Sequence, residues 1–217
     1  MNKIFCIIVS LLLVIPGANN LSAQEEWKLK EEKEGIRIYS RANEFSDFDE
    51  FKAITESEHS IHAFIAVLKD IPAIPEWMYS VTSSRFLEAQ GDTLQIYYTE
   101  AKAPFPLKNR DGIYLNRFRW DRDEQALIVD IEILPAYIEE EDNLVRISRG
   151  RGSWKVKEVR KGTVEITFQM QVDPGGSIPS WLANMFVVDT PFHTLTELKR
   201  MMALEKYQGK RYGVVEE

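Results

Sequence analysis

The residues best equipped for chemistry in this sequence are few and far apart. Glu100, Tyr114 and His193 supply a carboxylate, a phenol and an imidazole, groups that move protons when a fold converges them on a substrate. His59 and His62 stand three apart, a spacing that can hold zinc, but no cysteine or third ligand accompanies them and a surface or capping role is expected. Asn109-Arg110-Asp111 offers a guanidinium whose paired donors match a carboxylate or a phosphate. The competing reading, favoured by the adjacent aspartate, bonds Arg110 and Asp111 to their own loop and pins the Pro104–Pro106 turn. Arg149 shares the parity of Val145 and Ile147 and could aim inward, although arginines at strand ends usually reach water. The acidic run Glu139-Glu140-Glu141-Asp142 reads as a solvated loop rather than a cation site. No Gly-x-Ser-x-Gly elbow, glycine-rich phosphate loop or His-Glu metal motif occurs. The chemistry points to holding a molecule rather than transforming it, and neither metal nor cofactor is expected.

Composition narrows the classes further. Met1-Asn2-Lys3, the apolar run Ile4–Ile15 and then Leu21-Ser22-Ala23 match the three regions of a secretory signal peptide, with cleavage expected after Ala23. The apolar run falls short of the ~20 residues that cross a bilayer, so export to the periplasm or the medium is expected, with one domain over residues 24–217. Cys6 is the only cysteine and lies inside that run, which leaves the remaining domain without disulfides or thiol chemistry. Net charge is −7, with lysines and arginines scattered. An electrostatic grip on nucleic acid or anionic headgroups is therefore not expected.

The elements that must position these side chains follow from periodicity. A charged helix over Gln24–Lys33 is expected, then strands around Ile36–Arg41 and Phe51–Thr55. Ser60 caps a helix with Ile61, Phe64, Ile65 and Leu68 on one face, ended by Pro72 and Pro75 before Trp77. Seven strands follow, over Val81–Gln90, Thr93–Lys102, Gly112–Trp120, Ala126–Leu134, Leu144–Arg149, Gly152–Val159 and Thr163–Val172. Their turns carry Gly91-Asp92, Asp121-Arg122-Asp123 and Lys161-Gly162.

In the last strand Val164, Ile166, Phe168, Met170 and Val172 alternate with polar residues, the pattern of a half-buried sheet. Ile178, Leu182, Met185, Val188, Phe192, Leu195, Leu198 and Met202 then recur at helical spacing. Such a helix over Ile178–Lys206 would run roughly 40 Å, kinked at Pro191. This order gives an α+β fold in which a curved antiparallel sheet of about nine strands wraps a long C-terminal helix. Trp77, Trp120, Trp154 and Trp181 belong to its core on this reading. Tyr114, Asn116, Phe118 and Trp120 share one parity, with Arg117 and Arg119 on the other, so aromatics facing inward would make the neutral amide of Asn116 the buried polar group.

Three ordered blocks resemble the START (steroidogenic acute regulatory protein-related lipid transfer) domain family. They are Pro104-Phe105-Pro106-Leu107-Lys108-Asn109-Arg110-Asp111, then Arg146 through Gly152-Ser153-Trp154, then Asp173-Pro174-Gly175-Gly176 with Ile178-Pro179, Trp181-Leu182 and Asn184. The resemblance covers residues 25 to 207 and implies a helix-grip fold, with one lipid or other hydrophobic small molecule held in a tunnel gated by the C-terminal helix, without covalent chemistry. Sterol-type members place a charged pair deep in the tunnel; Asn116 departs from that pattern.

On the sheet side, the wall is expected to include Trp77, Tyr98, Glu100, Arg110, Tyr114, Asn116, Phe118 and Met170. On the helix side it includes Met185, Phe186, Phe192 and His193. Gly175-Gly176 would serve as hinge. The expected partner is the lipid, with transient membrane contact, no nucleic acid and a monomeric protein. A cyclase- or aromatase-like enzyme using Glu100, Tyr114 and His193 is the alternative, and an interaction module with a collapsed cavity is the third reading.

Overall fold

The computed structural model describes residues 26–42, 48–176, 182 and 185–216. Residues 1–23, read as a signal peptide, lie outside this set, as do Ile178 to Trp181 and Asn184 of the closing loop.

Two strands open the chain, β1 (Lys28–Lys33) and β2 (Ile36–Arg41), joined by a turn in which Glu34 and Gly35 take φ of 53° and 73°. Two consecutive left-handed residues make the tight reversal that suits the twist of a hairpin. The expected charged helix over Gln24–Lys33 is therefore a strand over Lys28–Lys33. Its residues have no apolar stripe at helical spacing, and exposed lysines are as suitable for an edge strand as for a helix surface.

Strand β3 (Glu50–Ser57) pairs with β2 on one side and with the last strand on the other. Ser60 caps α1 (Ile61–Lys69), its hydroxyl accepting from the Ala63 amide at 3.1 Å. Every residue from Ile61 to Leu68 is buried, so this helix lies inside the protein rather than on it. A 3₁₀ turn over Ile71–Glu76 carries Pro72 and Pro75.

The remaining strands are β4 (Val81–Gln90), β5 (Leu94–Ala101), β6 (Arg110–Asp121), β7 (Ala126–Ile133), β8 (Val145–Arg146), β9 (Arg149–Arg160) and β10 (Thr163–Asp173). They form one sheet in the order β1-β2-β3-β10-β9-β7-β6-β5-β4, with β8 paired in parallel to β6. Nine strands thus follow one another in a curved, unclosed antiparallel path. The ninth member is β1, where the sequence suggested Leu144–Arg149; β8 keeps only two residues.

The concave face carries the main core. Trp154 is its centre, stacked on Phe168 at 3.8 Å and met edge-on by Phe64 and Trp77 at 5.6 and 6.3 Å. A smaller cluster of Ile96, Tyr98, Ile113 and Leu115 lies on the opposite face of β5 and β6, with Leu134 and Ile138 packed against it.

Helix α2 (Thr190–Met202) follows a π-helical turn over Met185–Asp189. It is shorter than the expected Ile178–Lys206, and Pro191 lies in its first turn. The chain is already helical before it, with Asp189 at φ −66° and ψ −42°, so Pro191 stands where the π turn passes into the α-helix and removes one backbone donor there. Phe192, Leu195, Leu198, Met201 and Met202 form its buried stripe, and the chain leaves the helix at Ala203.

Candidate functional site

Between the concave sheet and the segment leading into α2 lies a cavity of about 150 Å³ with a mainly apolar wall. Strand alternation builds it. Tyr97, Thr99 and Ala101 of β5 face it, as do Arg110 and Tyr114 of β6, with Phe168, Met170 and Val172 of β10 opposite. Met78 to Val81 form one rim, and Phe186, Thr190 and Thr194 form the cover.

Register explains the most tightly fitted part of this wall. Tyr97 pairs with Tyr114, and their rings stack at 5.5 Å. The ring of Tyr114 folds over Gly112, where an added Cβ would lie 2.8 Å from it, so the bare backbone makes room for the phenol. Burial raises the pKa of both phenols, that of Tyr114 to about 12, with a hydrogen bond to Thr99 acting the other way.

Arg110 is buried and borders the cavity. Its Nη1 donates to the Lys108 carbonyl at 2.5 Å and its Nη2 to the Gly175 carbonyl at 3.4 Å. The loop-pinning role expected of Arg110 is thus present, but Asp111 does not share it. Asp111 points to the other face, where Arg146 meets it with Nε–Oδ1 at 3.1 Å and Nη2–Oδ2 at 2.8 Å. Arg146 also donates to the carbonyls of Pro135, Ile138 and Glu139, so one buried ion pair ties β6 to the loop after β7.

Of the residues expected on the wall, Arg110, Tyr114, Met170 and Phe186 border the cavity. Trp77, Asn116, Phe118 and Phe192 are buried on the same side of the sheet without bordering it. Tyr98 and Glu100 are misplaced by one residue of register: Tyr98 belongs to the outer cluster and its hydroxyl donates to Glu100 at 3.3 Å. His193 is exposed and stacks on Tyr79 at 4.9 Å, because Thr190 and Thr194 take the inward positions of α2. Met185 begins the π-helical turn, and its side chain lies outside the described set. Glu100, Tyr114 and His193 do not converge, so the proton-transfer constellation is not assembled. His62, weighed as a zinc ligand, accepts a hydrogen bond at Nδ1 from the Tyr212 amide at 3.2 Å. Arg149 is exposed.

Sequence reasoning missed Tyr97 and Thr99. The signal was available: with Tyr114 assigned inward, its cross-strand partner had to be inward too, and that partner is Tyr97 rather than Tyr98.

The family model of the START domain matches residues 17–207. The chain belongs to the START family. A solved STAR-related lipid transfer protein from Xanthomonas axonopodis shares 37% identity with this START protein at a TM-score of 0.76, over 83% of this chain and 100% of that one. Mouse phosphatidylcholine transfer protein is 28% identical over 163 residues, which span 73% of this START chain and 75% of the mouse protein. An uncharacterized Pseudomonas aeruginosa protein is 29% identical over 189 residues, covering 87% of this chain and 93% of its own. The helix-grip architecture expected from three short blocks is thereby the fold of this START protein.

Proposed function

We propose that this protein binds a lipid or lipid-like molecule in the cavity under α2 and carries or senses it without covalent chemistry. The observation that carries the reading is the mainly apolar wall formed by inward-facing residues of β5, β6 and β10 and closed by Phe186, Thr190 and Thr194. Membership of the START family and the likeness to proteins named for lipid transfer support it. Each methylene moved from water into such a wall contributes ~0.8 kcal/mol, so a chain of ordinary length is retained through purification.

Release requires the cover to move. Gly175 and Gly176, with φ of 70° and 68°, are the pivot we assign to it, since left-handed backbone of this kind favours glycine. Phe105 is 94% exposed between two prolines, beside Lys102 and Ala103 at the cavity rim, and suits brief contact with a membrane during exchange. Export completes the proposal; it rests on the N-terminal pattern and is checked by fractionating cells and sequencing the mature N-terminus.

Native and denaturing mass spectrometry of the purified protein is the deciding experiment. A stoichiometric lipid lost on denaturation is expected. Protein that is consistently empty and takes up no lipid from vesicles would remove the basis for a carrier.

A further inference from the structure

The cavity wall has charge of only one sign. Among its described residues are two cations, Arg110 and Lys102, and no aspartate or glutamate. Lys102 stands exposed at the rim, where water solvates it. Arg110 is only 6% exposed, and water cannot do the same there.

A buried charge is costly unless a counter-charge or a full set of hydrogen bonds meets it. Arg110 has neither among the described residues. A guanidinium carries five N–H donors; the carbonyls of Lys108 and Gly175 take one bond each, the second long at 3.4 Å, and Nε has no acceptor. The natural neutraliser, Asp111, is committed to Arg146 on the other side of the sheet. Burial pulls the pKa of Arg110 below its ordinary value, yet an arginine remains charged at neutral pH. Strand alternation keeps Asp111 from reaching round to Arg110, so the charge on the cavity side is left for another group to meet.

We infer that Arg110 is the subsite for an oxyanion on the head of the bound amphiphile, a carboxylate or a phosphate, and that the protein prefers acidic amphiphiles to neutral ones of equal chain length. The inference rests on the lipid-binding reading above and adds the head-group class to it. The edge containing Nε is the one that receives an oxyanion side-on with two bonds. The hydroxyls of Thr99 and Tyr114 border the same cavity and can donate to the remaining oxygens. A charge-assisted bond made in this dry setting is worth about tenfold or more in affinity.

The test compares dodecanoate with dodecanol, which share a chain and differ in charge, on the delipidated full chain at pH 7.5 by calorimetry. At least tenfold tighter binding of dodecanoate is expected. Arg110→Gln should bring the two within about threefold by weakening dodecanoate far more than dodecanol, and Arg110→Lys should keep an intermediate preference. Inorganic phosphate at millimolar concentration should neither bind nor compete.

Equal affinity of the unaltered protein for acid and alcohol overturns the inference while leaving lipid binding intact. Uptake of neither probe, together with empty protein by native mass spectrometry, overturns the broader reading instead. Inorganic phosphate binding as tightly as dodecanoate, and lost in Arg110→Gln, makes the subsite one for a free anion and also overturns the inference. Should Arg110→Gln not fold, the comparison on the unaltered protein decides alone.

Discussion

Arg110 and Asp111 are neighbours in sequence and face opposite sides of one strand, and the two sides treat charge differently. On the outer side Asp111 and Arg146 share two hydrogen bonds, and the spare donors of Arg146 reach three carbonyls. That network is closed. On the inner side Arg110 meets two carbonyls among the described residues, one at long range, beside a cavity wall without a described carboxylate. The contrast separates a charge that organises the fold from a charge left available to a guest.

The largest expected effect comes from opening the closed side. Asp111→Asn leaves the Arg146 guanidinium buried without its counter-ion, which costs about 3–5 kcal/mol and lowers Tm by roughly 10 °C for a chain of this size; thermal melts check it. The double change Asp111→Leu with Arg146→Met should recover most of that loss, because paired replacement by apolar side chains is tolerated. A double variant as unstable as the single one would mean that the tie to the loop carbonyls, not the charge balance, holds this side.

Next in size is Gly152 of β9, which lies against β10 beside the cavity residue Met170. A Cβ on Gly152 would sit 2.5 Å from Met170 Sδ and 2.6 Å from the Gln169 carbonyl, and backbone cannot step aside. Gly152→Ala is expected to cost about 1–3 kcal/mol in urea unfolding. The atoms nearest to a Cβ on Gly112 belong to the Tyr114 ring, so Gly112→Ala should cost less stability and instead displace the ring, weakening lipid uptake.

On the inner side Arg110→Met should change stability by no more than about 1 kcal/mol, or raise it, since it removes a buried cation that has no counter-ion. A loss as large as that of Asp111→Asn would erase the contrast between the two faces.

The smallest effect is in pH. A phenol whose folded pKa is raised favours the folded state below its unfolded value near 10, and that contribution is lost as pH climbs toward about 12 for Tyr114. Stability should therefore fall above pH ~10, and Tyr114→Phe should remove one late-titrating phenolate from the ultraviolet absorbance curve.

Much of the fold was legible because alternation is a local property. The parity of β10 and of Tyr114 to Trp120 can be read without knowing any partner, and so can the Ser60 cap. Features that depend on pairing were harder. Two adjacent tyrosines, Tyr97 and Tyr98, are equivalent until register with β6 distinguishes them. The Asp111–Arg146 pair joins residues 35 apart and sets which neighbour of Asp111 is left alone. The charged segment before Glu34 carries no apolar period, so only its hairpin turn reveals it as a strand.

The place of β10 in the sheet bears on how the protein is made. Among the described residues it is the last strand, yet it sits between β3 and β9 and is the strand through which β1, β2 and β3 join the rest of the sheet. During synthesis β3 can pair only with β2 until Val164–Met170 has emerged, so the concave wall is completed late. A chain truncated before Thr163 would lose the strand that joins β1, β2 and β3 to the rest of the sheet, so completion of the wall waits on a pairing between residues more than a hundred positions apart.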